Sequence, residues 1–321
     1  MATNSLPVDA FILAGPTASG KTDLLDAVFG AGTSTWVPRL RDAWQTDFSS
    51  AEIISADSMQ AYRGMDIGTA KPSKDLLSRL PHHLIDIKNP DEQYTAGEFV
   101  MRADALSSEL SGRGVLPIIS GGTGFYLMNY ICGLPASPPS SPEIRAQVAA
   151  DLKRLGPAAL RAELEEADPA TASRIHEHDL YRLTRAVEIL RTSGEAPSRF
   201  APPKMVRPGK RFLILGVSRT REVLHARIHA RVEAMMRAGL AHEVETLVSR
   251  GFGPEDAGMQ AIGYREFFEL AGSSSETIAE AIELHTHQYA KRQMTFFRAL
   301  PGLRWIDPDP EHLFHALTNF A

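Results

Sequence analysis

Short runs of apolar residues alternate along this chain with longer stretches in which apolar positions recur every three or four residues. The longer stretches have the period of amphipathic helices, and the short runs have the length and composition of buried strands. Alternating strands and helices predict an α/β fold with a parallel sheet core flanked by helices. The predicted strands cover residues 11–14, 53–56, 84–87, 115–120 and 212–217.

Two Pro- and Ser-rich stretches, residues 134–142 and 196–208, interrupt this alternation. Between them the pattern is purely helical, so the sequence predicts an all-helical insertion domain at residues 135–207. The core would then consist of residues 1–134 and 208–321. The helices predicted inside the insertion cover residues 143–155, 157–167 and 179–191.

Three other stretches carry predictions of their own. Residues 95–98, Thr-Ala-Gly-Glu, form a capping box, and a helix is expected from there to about residue 110. Residues 222–248 have the pattern of one amphipathic helix. Residues 30–50 have weak periodicity and are expected to be a loop-rich insertion.

The composition is that of an ordinary soluble globular protein, with 43% hydrophobic and 23% charged residues in a chain of 321. No apolar run approaches the roughly 20 residues that a membrane span needs. The first seven residues resemble no signal peptide. Cys132 is the only cysteine, which excludes an internal disulfide and fits a reducing compartment. It lies in an apolar run, so we expect a structural thiol and a cytoplasmic protein.

The net charge of −5 argues against a generally basic surface for nucleic acid, but the charge is unevenly distributed. Residues 171–231 contain 13 Lys and Arg against 5 Asp and Glu. Such an excess is typical of a site for a polyanion, although a solvated charged face would have the same composition. Composition alone leaves both interpretations open.

Residues 15–22, Gly-Pro-Thr-Ala-Ser-Gly-Lys-Thr, match the phosphate-loop pattern G-x-x-x-x-G-K-[ST]. They follow a predicted strand and precede a predicted helix, which is the context that the motif needs. In such a loop, backbone N–H groups converge on phosphate oxygens and the helix N-terminus adds partial positive charge. Lys21 would neutralise a phosphate, and the Thr22 hydroxyl would hold magnesium. The sequence therefore predicts a site for a phosphorylated or diphosphorylated small molecule.

Polar residues follow several of the predicted strands. Asp57, residues 121–124 (Gly-Gly-Thr-Gly) and the pair Ser218-Arg219 each come directly after a strand, as the phosphate loop does. Because ligands of open α/β sheets bind at the carboxyl ends of the strands, we expect these groups to converge on one edge.

Asp57 has three interpretations from its position alone. It could be a magnesium ligand, a general base that accepts a proton from an incoming nucleophile, or a cap of the following turn. Thr123 could likewise cap the helix that begins near residue 125 while it also faces a ligand.

Arg227 and Arg231 lie four residues apart on one helix face and could clamp a diphosphate. Arg182 and Arg185 share a face of an insertion helix in the same way. A solvated helix surface is the alternative for each pair. The histidines at 82–83 and at 285 and 287 lack cysteine or acidic partners at ligand spacing, so we reject a zinc site.

Residues 53–72, IISADSMQAYRGMDIGTAKP, closely resemble the signature block of tRNA dimethylallyltransferases, also called tRNA isopentenyltransferases. The resemblance covers nearly the whole chain in order. Further blocks of the family resemble the phosphate loop and residues 81–86, 121–126, 181–186, 260–265 and 289–293.

The resemblance implies transfer of a dimethylallyl group from dimethylallyl diphosphate to N6 of the adenosine just 3′ of the anticodon, with release of diphosphate. It implies Mg²⁺ as the cofactor, held by Thr22, and the anticodon stem–loop of tRNA as the partner. No membrane or protein partner is implied, and we expect a monomer of the bacterial type. The link at residues 30–50 is longer than is usual in the family.

The resemblance also assigns roles to residues of this chain. Asp57 would receive the N6 proton, Thr17 would lie near the bridging oxygen of the donor, and Lys21 and Arg227 complete the catalytic set. The residues implied to bind diphosphate are Gly15, Pro16, Thr17, Ala18, Ser19, Gly20, Lys21, Thr22 and Arg227. The residues implied to touch tRNA are Asp57, Ser58, Met59, Gln60, Thr123, Arg145, Tyr181, Arg182, Leu183, Thr184, Arg185, Gln260, Ala261, Ile262, Gly263, Tyr264 and Arg265.

Three other functions compete with this one. A phosphate-loop kinase acting on a small metabolite leaves residues 57–72 and the basic helical region unexplained. An adenylate isopentenyltransferase, which uses free nucleotide as acceptor, leaves the helical insertion unexplained. A non-catalytic tRNA-binding module is disfavoured because Lys21, Thr22 and Asp57 are all present.

Overall fold

All six strands lie in one parallel sheet in the computed structural model, which describes residues 6–32, 35–139 and 141–320. The strands are β1 (Ala10–Ala14), β2 (Ser50–Ser55), β3 (His82–His83), β4 (Val115–Gly121), β5 (Phe212–Val217) and β6 (Arg304–Ile306). Their order is β3-β2-β4-β1-β5-β6. Every residue of β1 and β5 is buried, as expected for central strands covered by helices on both faces. The predicted α/β class with a parallel sheet is confirmed.

The strand expected at residues 84–87 is wrong. β3 covers only His82–His83, because Leu84 and Asp86 have φ angles of 64° and 56°. This left-handed backbone is incompatible with a strand. The Leu84 side chain is nevertheless buried, which explains why the stretch has an apolar pattern.

In the described residues before the insertion there are five helices. They are α1 (Lys21–Phe29), α2 (Trp36–Trp44), α3 (Lys74–Arg79), α4 (Ala96–Gly112) and α5 (Gly124–Cys132). The predicted cap of α4 is present, since the Thr95 hydroxyl accepts a hydrogen bond from the backbone N–H of Glu98. The Glu98 carboxylate pairs with Lys88 and Arg102.

Helix α2 lies within residues 30–50, so the loop-rich structure expected there is wrong over Trp36–Trp44. Leu40 and Trp44 are buried in the main core, and the Trp44 indole N–H donates to the Leu317 carbonyl at 3.1 Å. Residues 33–34 of this stretch lie outside the described residues.

The chain divides into two compact units, of which the second is Cys132–Met205. The first comprises Met1–Ile131 and Val206–Ala321. The sequence placed the limits of the insertion at residues 135 and 207. The second unit is helical, and its core is formed by Val148, Leu160, Leu164, Leu183 and Val187. Its helices are α6 (Pro142–Leu155), α7 (Pro157–Ala167), α8 (Pro169–Arg174) and α9 (Leu180–Ser193), followed by a 3-10 turn at Pro197–Phe200.

From the insertion to residue 320, the last that is described, there are five helices. They are α10 (Arg221–Arg237), α11 (Leu240–Ser249), α12 (Arg265–Glu269), α13 (Ser275–Phe297) and α14 (Pro310–Thr318). The single helix expected at residues 222–248 is therefore two helices. The break is at Gly239, whose φ of 95° is accessible to glycine at little cost. None of the helices in the described ranges is both long and apolar enough to cross a membrane.

Candidate functional site

A cavity of about 360 Å³ lies at the carboxyl ends of β1, β2 and β4 in the first unit. The phosphate loop forms one wall, and Asp57, Gly121 and Gly122 line it from the neighbouring strand ends. Helices α10 and α13 complete the lining with Arg227, Arg231, Tyr289 and Gln293. The predicted convergence of the phosphate loop, Asp57 and the 121–124 turn on one sheet edge is thus observed.

The phosphate loop is held in a compact shape by its own backbone. Gly20 has a φ of 92°, and a Cβ atom on Gly15 would come within 2.9 Å of the Ser19 hydroxyl oxygen. The Lys21 ammonium donates to the carbonyls of Gly15 at 2.7 Å and Pro16 at 3.0 Å. Helix α1 begins at Lys21, so its N-terminal N–H groups face the cavity from the same side.

Burial lowers the pKa of Lys21 from its ordinary value of 10.5 to about 8. The negative charge of Asp57 opposes this shift, and the positive charge of Arg231 adds to it. A buried ammonium with a reduced pKa is one that a bound anion stabilises strongly. The site is therefore prepared for a polyanionic ligand.

Two arginines brace the loop from outside. The Arg227 Nε atom donates to the Ala18 carbonyl at 2.7 Å, and its Nη2 atom lies 3.4 Å from the Asp23 carboxylate. The Arg219 Nε atom donates to the Ser19 carbonyl, also at 2.7 Å. Arg227 was expected here from the sequence. Arg219 was noted only as a residue that follows a strand, and the structure gives it a contact with the loop.

Arg231 is half-buried, lines the cavity, and makes no hydrogen bond or ion pair within the described part of the chain. Burial lowers its pKa, the Asp57 charge opposes that shift, and the Arg227 charge adds to it. The sequence placed Arg231 one helical turn from Arg227 but preferred Arg227 as the diphosphate ligand. The structure brings both to the cavity. Arg227 is held by a hydrogen bond and an ion pair, whereas the Arg231 guanidinium has neither in the described residues.

Asp57 stands opposite these cations. Its Oδ1 atom accepts a hydrogen bond from the backbone N–H of Met59 at 3.0 Å, so the carboxylate does cap the following turn. Its Oδ2 atom makes no hydrogen bond within the described residues and lies near Gly122, 3.9 Å from the position of a Cβ there. The capping interpretation and a chemical role are therefore compatible.

Ser58 and Thr123 join the two strand ends beside Asp57. The Thr123 hydroxyl accepts from the backbone N–H of Ser58 at 3.0 Å and donates to the Ser58 hydroxyl at 3.2 Å. Thr123 also lies at the expected cap position, directly before α5, where its backbone carbonyl accepts from the N–H groups of Tyr126 and Leu127, but its hydroxyl bonds across to Ser58. Gln60 also lines the cavity, where its amide donates towards the carbonyls of Thr69 and Ala70.

Helix α13 contributes two residues whose block matched the family without an assigned role. The Gln293 Oε1 atom accepts from the backbone N–H of Thr17 at 2.9 Å, and its Nε2 atom donates to the Gly122 carbonyl at 2.7 Å. Burial and the charge of Asp57 raise the pKa of Tyr289 to about 12. Tyr289 is thus a neutral hydroxyl at physiological pH, close to Asp57.

The 260–265 block is partly internal. Tyr264 is fully buried, and its hydroxyl donates to Glu243 at 2.6 Å. The Glu243 carboxylate also accepts from the backbone N–H groups of residues 66–68, which fixes the end of the signature block. Gln260 is exposed, whereas Ala261 and Gly263 are buried. Because it is fully buried, the Tyr264 side chain supports the protein surface from beneath and is not part of that surface. Ile262 and Arg265 are half-buried.

The second unit carries the other residues expected to touch tRNA. Arg145, Tyr181 and Arg182 are exposed, and Tyr181 shows 81% of its surface. Leu183 is fully buried in the core of this unit, so its side chain is no surface contact. Thr184 and Arg185 are half-buried, and the Arg185 guanidinium donates to the Pro138 carbonyl at 3.2 Å.

The remaining candidate groups have structural partners. His83 contacts Glu52 at 2.6 Å and His285 contacts Glu266 at 2.6 Å. Cys132 is buried, and burial raises the pKa of its thiol, as expected of a structural cysteine. His83, His285 and Cys132 lie outside the cavity, whereas His82 lines it.

Comparison with known proteins matches the chain to one family. The family model described as IPP transferase matches residues 60–300. The chain is 40% identical to a tRNA dimethylallyltransferase of Geobacter sulfurreducens, with 92% of this chain and 91% of that protein covered. It is 41% identical to one of Symbiobacterium thermophilum, with 92% and 88% covered.

Solved structures show the same likeness. A full-length tRNA isopentenylpyrophosphate transferase from Bacillus halodurans matches with a TM-score of 0.65 and 32% identity, covering 97% of this chain and 95% of that one. A eukaryotic dimethylallyltransferase described as acting on tRNA matches with a TM-score of 0.75 and 26% identity, covering 93% and 73%. On this sequence and structural likeness, the chain belongs to the IPP transferase family, that of the tRNA dimethylallyltransferases.

Proposed function

We propose that this protein transfers a dimethylallyl group from dimethylallyl diphosphate to N6 of the adenosine 3′-adjacent to the anticodon of tRNA. The observation that carries the proposal is the arrangement of the cavity. One wall holds Lys21, Arg227 and Arg231, and the other presents the Asp57 carboxylate, whose Oδ2 atom has no partner among the described residues. Such a site can bind a leaving diphosphate and accept a proton on opposite sides of one reacting carbon.

The donor diphosphate lies on the phosphate loop in this proposal. The N-terminal N–H groups of α1 and the ammonium of Lys21 neutralise its charge, and Arg231 supplies a guanidinium that has no other partner in the described chain. As the allylic carbon–oxygen bond breaks, negative charge grows on the departing diphosphate. The cations at this wall therefore bind the transition state more strongly than the ground state.

The acceptor lies against Asp57. An adenine amino group is a weak nucleophile because its lone pair is delocalised into the ring. As the nitrogen–carbon bond forms, the N6 proton passes to the Asp57 carboxylate, and an N-protonated product is avoided. One bond to carbon forms, one breaks, and diphosphate leaves. The base must leave its stack to reach this wall, which costs least in an unpaired loop.

Magnesium fits the same wall. Thr22 follows Lys21 in the first turn of α1 and lines the cavity, and Asp23 stands beside it. Mg²⁺ usually takes one or two protein oxygens together with phosphate oxygens and water, and this donor set meets that requirement. When bound, the ion would supply further charge neutralisation to the diphosphate. Thr22 would hold it, and Lys21 and Arg231 would hold the rest of the anion.

The second unit would grip the anticodon stem–loop. Its exposed Arg145, Tyr181 and Arg182 offer cations and an aromatic face, which are the groups that RNA loops bind. We expect the protein to act as a monomer, because the cavity is complete within one chain.

The test is to incubate the protein with labelled dimethylallyl diphosphate, Mg²⁺, and either tRNA or AMP. The proposal predicts label in tRNA and none in AMP. Label in AMP alone would favour an adenylate isopentenyltransferase. No label in either acceptor, with intact binding of tRNA, would contradict the proposed reaction.

A further inference from the structure

Arg219 lies two residues beyond β5, where it contacts the phosphate loop from outside the cavity. Its Nε atom donates a hydrogen bond to the Ser19 carbonyl at 2.7 Å, and Arg219 is not among the residues that line the cavity. We propose that Arg219 is a positioning residue for donor binding, which keeps the loop in its anion-binding shape while the cavity cations turn to the diphosphate. This inference rests on the proposed function and deepens it.

The shape of the loop needs support from outside. Ala18 has a φ of 60° and Gly20 a φ of 92°, so two left-handed residues flank Ser19. Glycine adopts this backbone at little cost, but at Ala18 it is strained, because the Cβ atom approaches the following carbonyl oxygen. Loops of this kind leave their N–H groups facing a bound anion and turn carbonyls away from it. Side chains that hold those carbonyls therefore stabilise the shape that binds the anion.

Three cations bond to carbonyls of the loop in the described part of the chain, namely Lys21, Arg227 and Arg219. Lys21 and Arg227 also line the cavity. Once a diphosphate binds, their hydrogen-bond donors must be shared between the carbonyls and the phosphate oxygens. Arg219 lies outside the cavity lining, so its bond to Ser19 can persist with the ligand in place. It is the cation of the three that can hold the loop throughout.

Charge is a second way in which Arg219 could favour an anion. A Cβ on Gly20 would lie 3.1 Å from the Nη2 atom of Arg219 and 3.5 Å from that of Arg227, so the two guanidinium groups meet at one point of the loop. Burial and the Arg227 charge lower the pKa of Arg219, and the Asp23 charge opposes that shift. The contribution of the hydrogen bond must therefore be measured separately from that of the charge.

Three substitutions of Arg219 make this separation. Arg219→Gln retains an N–H donor bonded to Cδ, as Nε is, and removes the charge. Arg219→Lys retains the charge but has a methylene group at the position of Nε. Arg219→Met removes both the donor and the charge from a side chain of similar length. Arg221→Met is the matched control, because Arg221 is an exposed cation two residues further along that does not line the cavity.

The probe is inorganic diphosphate with Mg²⁺, whose Kd is measured by calorimetry, and kcat and KM are measured for dimethylallyl diphosphate with tRNA. Arg219→Met and Arg219→Lys should raise both the Kd and the KM about tenfold, the scale of one hydrogen bond from a charged donor. Arg219→Gln and Arg221→Met should stay within about threefold of the wild type. In all four variants kcat should change less than about threefold, because the loop binds the diphosphate before and during the reaction.

Hydrogen exchange of residues 15–22 without ligand gives a second measurement. The loop amides should exchange faster in Arg219→Met and Arg219→Lys than in Arg219→Gln, with the Tm nearly the same in all three. If Arg219→Lys bound diphosphate like the wild type and Arg219→Gln did not, charge would explain the effect and the positioning role would be wrong. Wild-type affinity in all three variants would also overturn it. If the variants followed the expected order but the wild type transferred no dimethylallyl group, the proposed function would be contradicted and the role of Arg219 in anion binding would stand.

Discussion

The side chain of Gln293 connects the phosphate loop to the strand end across the cavity. Its Oε1 atom accepts the backbone N–H of Thr17 at 2.9 Å while its Nε2 atom donates to the Gly122 carbonyl at 2.7 Å. The residue is only 4% exposed, so both bonds are made out of water. Gln293 thereby fixes the separation between the wall that binds diphosphate and the wall that carries Asp57.

Gln293→Leu should therefore impair catalysis without removing any charged group. Two buried backbone groups would lose their partner, at a cost of about 1–3 kcal/mol each. We expect kcat to fall by about tenfold or more, with tRNA affinity nearly unchanged. The measurement is kcat and KM for both substrates, with Gln93→Leu, at an exposed position outside the cavity, as control. Equal kcat in the two variants would show that Gln293 has no positioning role.

Asp57→Asn tests the proton acceptor. Asparagine retains an oxygen for the Met59 N–H, so the turn should persist. We expect turnover to fall by about 10²-fold or more and tRNA affinity to stay within about threefold. Single-turnover transfer, monitored with enzyme in excess over tRNA, measures the chemical step. A near-normal single-turnover rate in this variant would show that Asp57 is not the proton acceptor.

The pKa of Lys21 predicts how diphosphate binding depends on pH. Its pKa is about 8 in the folded protein, against an ordinary value of 10.5. A bound diphosphate favours the charged ammonium, so binding should take up a proton and weaken as pH rises past 8. The Kd for diphosphate, measured from about pH 7 to about pH 9.5, should rise more steeply in the wild type than in Lys21→Met.

The lowered pKa of Lys21 also makes the free energy of unfolding depend on pH, and it does so in the opposite direction to diphosphate binding. Below pH 8, Lys21 is charged in both the folded and the unfolded chain, and the cost of burying that charge is constant. Between pH 8 and 10.5 the unfolded chain binds more protons, so the contribution of Lys21 to the free energy of unfolding rises with pH. Lys21→Met should lack this rise. Identical pH dependence of binding and unfolding in the two proteins would contradict the assignment.

If Arg182 contacts tRNA, replacing it should change the salt dependence of tRNA binding, and replacing the similarly paired Arg154 should not. Arg182 is 72% exposed and lies 3.4 Å from Asp179, three residues earlier in the chain. Arg154 is 68% exposed and pairs with Asp151 at the same spacing, at 2.7 Å. Arg182→Ala should lower the salt slope of tRNA binding by about one unit, and Arg154→Ala should leave it unchanged. If the two variants had equal salt slopes, Arg182 would be a solvated surface residue with no contact to tRNA.

Much of the site was predictable because its signals are local. The phosphate loop, the strand end at Asp57 and the 121–124 turn each follow an apolar run, and parallel strands bring such ends to one edge. Helix spacing placed Arg231 on one face with Arg227, but it could not show that Arg231 makes no hydrogen bond or ion pair in the described chain while Arg227 bonds to the phosphate loop. Gln293 is marked by a tertiary fact, a buried amide between two loops, which periodicity along α13 does not contain.

The misjudged elements have physical reasons as well. Leu84 is buried, and Ile85 and Ile87 are half-buried, on a backbone that is left-handed at residues 84 and 86 and that sequence pattern cannot distinguish from a strand. Trp44 is buried against a helix near the other end of the chain, so no nearby residue revealed it. The excess of positive charge in residues 171–231 is partly neutralised by acids outside that window, because Arg191 pairs with Asp151 and Arg207 with Asp104.

The most direct test of the account follows the acceptor and the leaving group together. Wild-type protein is given tRNA, Mg²⁺ and either dimethylallyl diphosphate or ATP, and both the released diphosphate and the mass of the digested nucleosides are measured. The account predicts one dimethylallyl group on one adenosine for each diphosphate released with the first donor, no modification with ATP, and loss of the reaction in Lys21→Ala. Transfer of phosphate from ATP to any acceptor, with no dimethylallyl mass on tRNA, would contradict it.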